Sequence, residues 1–490
     1  MGTTSASIQS LVSRNRFTCD LWSKCDGSFH GKANSLTRPG TLEMKSAPSL
    51  TTDPISSLIW RIALPMSVGM FFNTMFNVVD TYYAGKLGTE ALAALALSFP
   101  VFFIILSVGS GISQGTTALL ANSLGEGNTN DCRRYFAQAI FFAIIGSLIM
   151  AVAGWLTSPI IFKSLGASGS YLQTCLDYMN VILAGSVLML LPIVLNSALS
   201  SQGNTIPYRN YLIAGFIANC LLNPLFILGW WGLPKMGVAG LALATLVVHL
   251  GGIIYLWVHL QKSELFKKIT PRELAPDWAV LKKIAGQAVP AGLNMLTIAI
   301  GMFVINWFVQ HFDKEAIAAA GVAMRVEQII LMPTIGLNFA ALSIIGQNHG
   351  AKLPLRVREA WITNIKFGAI IMFVGGFVLY FLRKPGLRFF TDDEAVIAIG
   401  YDCLLVSAVT LSAYPILFVT VFAFQGLKKP MIGLWVGLYR QLIAPILIIH
   451  TLTFTLAWGL WGIWWGISIV TWSAALFMLA LGWRKIGKEL

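Results

Sequence analysis

The chain has 490 residues, 56% of them hydrophobic and only 11% charged, with a mean hydropathy of +0.72. Soluble chains carry about 25% charged residues, so too few are present to cover a water-facing surface, which excludes a soluble enzyme, a nucleic-acid binder and a disordered scaffold. The 34 basic residues outnumber the 21 acidic ones in a pattern that follows membrane topology, and the six cysteines lack the CxxC spacing of a metal site and the arrangement of a disulfide framework.

Residues 1–56 are rich in Ser, Thr, Gly and Asn, hold no sustained apolar run, and read as a disordered tail. Nothing before Met44 has the apolar stretch of about 7–15 residues that a signal peptide requires. Residues 1–43 either resemble a basic, Ser-rich organellar transit peptide or lie upstream of a working start at Met44, and the second reading is preferred. From about residue 57, apolar stretches alternate with short polar breaks: GKLGTE, GEGNTNDCRR, KSLGASGS, SQGNTIPYRN, GWWGLPKMG, QKSELFKKITPRELAPDW, HFDKE, HGAKLPLRVRE, RKPGLRFFTDDE, GLKKP and TFTLAWG. These breaks divide the chain into twelve spans. Backbone facing lipid must satisfy its own hydrogen bonds, so the spans are helices.

Lys and Arg set the orientation. One side carries Arg133, Arg134, Arg209, a central loop with Lys262, Lys267, Lys268, Arg272, Lys282 and Lys283, the basic run 352–366, Lys428, Lys429 and the C-terminal Arg484, Lys485 and Lys488. The other side carries only Lys86, Lys163, Lys235, Lys314, Arg383, Lys384 and Arg388. Basic loops stay in the cytoplasm, so both termini are expected there. The expected location is the plasma membrane, the inner membrane of a bacterium, in multi-pass form.

The central loop separates two halves that echo each other. At an offset of 225 residues, Glu90 falls on Glu315, Ala91, Ala93 and Ala94 on Ala316, Ala318 and Ala319, Gly111 on Gly336, Gly125 on Gly350 and Arg133 on Arg358. At an offset of 223, SQGNTIP overlays FQGLKKP. Six spans per half give parallel repeats with a cavity between them near the bilayer midplane, which suits alternating access. The expected organisation is a tail over 1–56, a first lobe over 57–260, a linker over 261–285, a second lobe over 286–483 and a short tail over 484–490.

Three stretches resemble a known family: NVVDTYYAGKLGTEALAALALSFP in the first half, NCLLNPLFILG in span 5, and AIAAAGVAMRVEQIILMPTIGLNFAALSIIGQNHGA in the second half. Together they are similar to the signatures of the multidrug and toxic-compound extrusion (MATE) family, and the resemblance covers residues 57–485. It implies an all-α integral membrane protein whose twelve transmembrane helices form two six-helix repeat lobes, a V-shaped alternating-access transporter. The function it implies is a secondary active antiporter, exporting amphipathic, cationic organic compounds in exchange for H⁺ or Na⁺.

Few acids lie within or at the ends of spans: Asp80, Asp177, Glu327 and Asp402. An acid at a helix centre costs roughly 2.5–3.5 kcal/mol on insertion scales. A carboxylate kept from water relieves that cost by taking a proton, and can exchange it as water access alternates. Asp80 is the leading candidate; it lies six residues before Lys86, roughly 9 Å of helix rise, and alternatively snorkels to the outer interface. Asn219 and Asn223, four apart, share one helix face and either coordinate a cation or hydrogen-bond a neighbouring helix. The family resemblance implies a cation-coupling site made of Asp80, Asn219, Asn223 and Thr245, with Na⁺ a candidate at the first three. Some relatives carry a second Asp where this chain has Asn223, which weakens a proton-only mechanism. Pro65 is a hinge of span 1 by the same resemblance, or else a first-turn proline or an inert kink.

One branch of the family carries a second-lobe acidic pair whose positions here are Ile298 and Tyr414, neither acidic, so coupling is expected in the first lobe. Arg325, Glu327 and Tyr414 are candidate cavity residues. Arg325 and Glu327 are two apart and face different ways on a helix, reading as structural or as reaching across the cavity mouth. Asp177 and Asp402 read as interfacial. Beyond H⁺ or Na⁺ no cofactor, metal centre or catalytic residue is expected; the partners are the bilayer and small organic cations or other amphipathic compounds, with no nucleic acid and a monomeric state. The alternative is a lipid-linked glycan flippase of the same superfamily, disfavoured because only Arg61, Arg325 and Arg440 lie within spans or at their ends. Channel filters, a Walker motif and a membrane-depth catalytic cluster are absent from the sequence.

Overall fold

The computed structural model describes residues 49–486 except 233, 264 and 268–270. The tail reading for residues 1–48, the choice of Met44 as start, and residues 487–490 of the second tail lie outside the described residues. The first half comprises α1 (Ile55–Leu87), α2 (Thr89–Gly125), α3 (Thr129–Ser164), α4 (Gly169–Ala184), α5 (Ser186–Ser201), α6 (Ile206–Leu228) and α7 (Gly237–Gln261). The second comprises α8 (Trp278–Val309), α9 (Lys314–Gly350), α10 (Pro354–Arg388), α11 (Glu394–Thr410), α12 (Ala413–Gly426), α13 (Met431–Leu438), α14 (Ala444–His450) and α15 (Leu460–Lys485). Among the described residues ten helical spans are long and apolar enough to cross a bilayer alone, with Met431–Thr455 counted as one; the bent pairs α4–α5 (46°) and α11–α12 (51°) each add another. The outer surface is apolar where a soluble protein would be charged. On α10, Phe373, Phe377 and Phe381 recur every four residues and stay 62–69% exposed, a stripe that faces lipid.

Local chemistry sets the helix ends and breaks. Asn128 accepts from the Asp131 N–H at the start of α3, and Asp277 and Asp393 accept from two N–H groups each at the starts of α8 and α11, caps worth about 1 kcal/mol apiece. The α11–α12 break follows from Pro415, which has no N–H to give the Leu411 carbonyl; the Tyr414 N–H donates there instead, at 3.3 Å. Pro445 acts similarly after α13, where Tyr439–Ile443 widens into a π-helical turn.

Three boundaries differ from those expected. Residues 49–56 are not tail: Leu50 is buried, its carbonyl accepts from Asn348 at 2.9 Å, and the Asp53 carbonyl accepts from Arg356 at 2.7 Å. The linker ends at Asp277 rather than 285, because that residue caps α8. It is also strapped to α3: Gln138 donates to the Glu273 and Ala275 carbonyls at 2.9 and 2.7 Å and accepts from the Asp277 N–H, while Arg133 and Arg134 pair with Glu273 and Asp277. Finally, the first helix of each half contributes to the other half's core. Leu58, Ile59, Ile62 and Ala63 of α1 pack with Leu337, Ala340 and Ile344 of α9, and Ile284 and Ala288 of α8 pack with Ile112 and Leu119 of α2.

The internal repeat has a spatial meaning. A methyl group added at Gly111 would strike the Ala288 carbonyl, and one at Gly336 the Ala63 carbonyl. One added at Gly125 would strike Gln347, and one at Gly350 would strike Asn122. Each pair of contacts is the other shifted by 225 residues, so the halves meet through repeat-related backbone crossings that only glycine permits.

Candidate functional site

Asp80 stands seven residues from the end of α1 and is 7% exposed. Helix α6 brings Asn219 and Asn223, both fully buried, to the same carboxyl oxygen: each side-chain amide donates to Asp80 Oδ1 at 2.9 Å. Thr245 on α7 faces the other oxygen, its hydroxyl 3.4 Å from Oδ2, and donates to the Leu241 carbonyl at 3.2 Å. Asn223 also donates to Asn219 Oδ1 at 3.1 Å, whereas its own Oδ1 is buried with no hydrogen-bond partner. Four residues spread over 165 positions of sequence thus form one pocket of oxygens and amides, and no Lys or Arg side chain stands within ion-pair distance of Asp80 among the described residues.

This donor set can hold a small hard cation. Such ions take carboxylate, amide and hydroxyl oxygens, and Asp80, the orphaned Asn223 Oδ1 and Thr245 Oγ1 are those three kinds. The carboxylate alone can take a proton. Asn219 and Asn223 do share one helix face, and both hydrogen-bond a neighbouring helix at Asp80. The snorkelling alternative for Asp80 does not hold, since the group is buried.

Pro65 is the eleventh residue of an uninterrupted α1, which removes the first-turn reading. It sits between Ala63 and Ser67, the two α1 residues that touch Gly336 on α9. Asp177 is exposed on α4 and accepts from Gln173 at 2.7 Å; Asp402 is close enough to Arg383 to feel its charge. His249 is bonded to the Tyr211 hydroxyl at 2.6 Å.

The second-half candidates separate. Arg325 is exposed on α9 and apart from the others. Glu327 accepts from the Ser407 hydroxyl of α11 at 2.9 Å and has Tyr414 and Arg440 as its other polar neighbours. A carboxylate therefore does stand beside Tyr414, delivered by α9 rather than by the helix that carries Tyr414. Sequence reasoning noted Arg440 only as a span arginine and missed Ser407 and Phe418. A stretch of 80 residues separates Glu327 from Ser407, and no spacing rule connects different helices.

The MatE family model matches residues 65–225 and 290–449, two segments that begin 225 residues apart (290 minus 65), the spacing of the internal repeat. The chain is 28% identical over 402 residues to a protein of Shewanella oneidensis named FAD transporter, covering 81% of this chain and 88% of that one. It is 25% identical over 430 residues to the Neisseria meningitidis serogroup B protein named probable multidrug resistance protein NorM, covering 87% and 93%. Among solved structures, it is similar in fold to an outward-facing multidrug resistance MATE family transporter of the MOP superfamily, with a TM-score of 0.84, 24% identity, and 91% and 98% of the two chains covered.

Proposed function

The chain belongs to the MATE family of membrane transporters, and from that premise we propose that it is a secondary active antiporter, exporting amphipathic organic compounds in exchange for H⁺ or Na⁺. The observation that carries this reading is the buried Asp80 carboxylate, whose side-chain partners among the described residues are the neutral Asn219, Asn223 and Thr245. A carboxylate so placed within a span has two routes to neutrality, a proton or a metal cation, and either changes its hydrogen bonding. Sodium would be held by Asp80, Thr245 and Asn223 Oδ1; a proton by Asp80 itself.

Alternating access requires one end of the lobe interface to close while the other opens. The Gly125 and Gly350 crossings lie at the end that carries Arg133, Arg134, Lys428 and Lys429, which the distribution of basic loops assigns to the cytoplasm. Glu126 and Lys428 pair across the same end at 3.5 Å, and Asn122 donates to the Gly426 carbonyl at 2.8 Å. On this reading the conformation is closed to the cytoplasm, Pro65 is a weak point of α1 at the interface, and cargo leaves by the opposite side. The relatives' names span multidrug resistance and FAD transport, so the cationic charge expected of the cargo rests on the sequence resemblance alone.

The test is dye transport in proteoliposomes under an imposed pH or Na⁺ gradient, using cationic and anionic dyes, for wild type and Asp80→Asn. One gradient drives wild-type transport and the substitution abolishes it if the reading is right. Normal coupling in Asp80→Asn places the coupling site elsewhere, and silence of wild type to both gradients ends the antiport reading.

A further inference from the structure

The three helices that build the Asp80 pocket meet again one turn away, around a second titratable side chain. His249 on α7 is bonded through Nδ1 to the Tyr211 hydroxyl of α6 at 2.6 Å, and the Phe76 ring of α1 lies 6.4 Å from the imidazole, centroid to centroid. His249 is one turn beyond Thr245 on α7, and Phe76 is one turn before Asp80 on α1. Thr245 meets Asp80 as His249 meets Phe76, so the antiparallel α1 and α7 carry two levels of one column. Helix α6 serves both, with Asn219 and Asn223 at the first level and Tyr211 at the second. One helical turn, roughly 6 Å, separates the levels.

The second level lies on the cytoplasmic side of the first. Tyr211 is the sixth residue of α6, just past the break that holds Arg209, and α7 runs from His249 toward the basic central loop. Tyr208, a turn nearer that end, has its ring 5.7 Å from that of Tyr211. A methyl group at Gly252 would strike the Tyr211 ring, so this glycine lets the ring lie against α7 and fixes its hydroxyl at the imidazole. With Nδ1 engaged, Nε2 makes no hydrogen bond among the described residues, and the half-buried ring keeps that nitrogen open to take and release a proton. Among the described residues no carboxylate stands at ion-pair distance from His249, so an imidazolium there is not trapped. The titratable groups facing this column are Asp80 on α1, Tyr178 on α4, close enough to Asp80 to feel its charge, and Tyr208 and Tyr211 on α6; α5 carries none.

We propose that His249, positioned by Tyr211, is a proton relay that carries protons from the Asp80 pocket toward the cytoplasm. A proton leaves the pocket, Nε2 takes it to form an imidazolium whose Nδ1–H donates to the Tyr211 oxygen, and the imidazolium returns it to water on the cytoplasmic side. Nothing is oxidised or reduced. One turn exceeds the reach of a hydrogen bond, so the transfer needs a bridging water or a movement of α1, and the column does not leak while α1 is still. With Asn223 an amide, the pocket has one acid, and His249 is the second protonatable group on its route. The relay rests on the antiport reading and deepens it by naming H⁺ as the coupling ion.

The experiment compares wild type, His249→Gln and Tyr211→Phe in proteoliposomes, with radiolabelled ethidium and riboflavin 5′-phosphate as cationic and anionic probes. Two rates are read: net transport driven by an imposed pH gradient, and exchange of labelled for unlabelled probe at equal pH, which needs no net proton transfer. His249→Gln should cut driven transport roughly 100-fold, the lower end of what a positioned acid–base group contributes, and leave exchange within about twofold. The dependence of the remaining driven rate on internal pH between about pH 5 and 8 should flatten. Tyr211→Phe keeps the ring against Gly252 and removes only the hydroxyl; it should shift that profile by about half a pH unit or more, the worth of one hydrogen bond. Unchanged driven transport in His249→Gln, or an unchanged profile in Tyr211→Phe, overturns the relay. So does an equal loss of driven transport and exchange in both variants, which makes the pair structural. Wild-type transport driven by a Na⁺ gradient and not by a pH gradient overturns the relay and leaves the antiport reading standing. Exchange by wild type with no response to either gradient ends the antiport reading, and the relay with it.

Discussion

Alanine at Gly350 or Gly125 should open the closed end of the lobe interface, and by similar amounts. A methyl group at Gly350 would sit inside contact distance of the Asn122 carbonyl oxygen, 2.8 Å from its carbon and 2.9 Å from the Asn122 Cα. One at Gly125 would press on the Gln347 carbonyl and stand 2.8 Å from the Ala351 nitrogen. These neighbours are helix backbone, so no side chain can swing away and the helices themselves must separate. Overpacking of this kind costs about 1–3 kcal/mol. The cost falls on the closed state and not on a state in which the lobes have parted here, so the equilibrium should shift roughly 5- to 150-fold toward opening. Ser123, 3% exposed beside Asn122, gives the readout. With the six native cysteines replaced, the rate at which a polar maleimide labels Ser123→Cys should rise by at least about fivefold in either glycine variant. An unchanged rate in both, in protein that remains folded, would refute the argument that backbone crossings hold this end shut. A rise in one only would refute the claim that the crossings are equivalent by repeat.

Other perturbations separate strong contacts from weak ones. Glu126→Gln or Lys428→Gln should change the same labelling rate less than about fivefold, since that pair is partly exposed and such pairs are worth at most about 1 kcal/mol; a larger change would make the pair the real latch. In the Asp80 pocket, Asn219→Ala and Asn223→Ala should weaken gradient-driven transport roughly 10- to 100-fold, the worth of a hydrogen bond to a charged group. Thr245→Val should do less, because its hydroxyl lies farther, at 3.4 Å, and is shared with the Leu241 carbonyl; the reverse order would point to the hydroxyl as a cation ligand. At the linker, the Arg134 guanidinium holds the Asp277 carboxyl below the usual range. A depressed carboxyl stabilises the fold above its unfolded value of about 3.9 and loses that contribution as pH falls through the folded value. Asp277→Asn, which preserves a cap, should therefore lower the unfolding temperature in detergent at pH 6, and the deficit should shrink steadily as pH falls below about 3.9; a deficit that does not shrink would assign the effect to the cap and not to the charge.

Hydropathy and the run of basic loops were enough to place the spans, because a bilayer imposes one length scale on every helix. The Asp80 pocket was legible for a different reason. Periodicity put Asn219 and Asn223 on one face, but only the family resemblance joined them to Asp80 and Thr245. The repeat glycines Gly111, Gly125, Gly336 and Gly350 were visible as matches, but membrane helices share glycine freely, and only the crossings explain these four. What stayed hidden depends on contact between helices far apart in sequence. Nothing in the first turns of α1 announces that Ile59 and Ile62 pack against α9, and an apolar residue near the tail looks like tail until Leu50 is seen in the core. The bend at Leu411 and the π-turn at Arg440 follow from Pro415 and Pro445, but a proline in a span predicts a disturbance without predicting which side chains it gathers. Asp277 was passed over as a helix start because the basic run around Lys282 and Lys283 reads as loop.

The position of α1 gives the two lobes a physical connection. Its first turns belong to the core of the second half, and its last turns carry Asp80 into the pocket made by α6 and α7. Between them, Ala63 and Ser67 meet Gly336, and Ser67 donates to the Pro333 carbonyl at 3.4 Å. From Ser67 to Asp80 is about 20 Å of helix, so any event at Asp80 that tilts or rotates α1 acts on the lobe interface through one rigid element. Pro65 removes the hydrogen bond to the Arg61 carbonyl at that interface, leaving α1 softest where the halves touch. Helix α8, the repeat mate of α1, crosses in the same manner at Ala288, yet Ile305 stands where Asp80 stands in the first half. The crossing is therefore duplicated while the acid is not. That asymmetry leaves the first half with a buried carboxylate on its crossing helix and the second half with an apolar residue at the matching position.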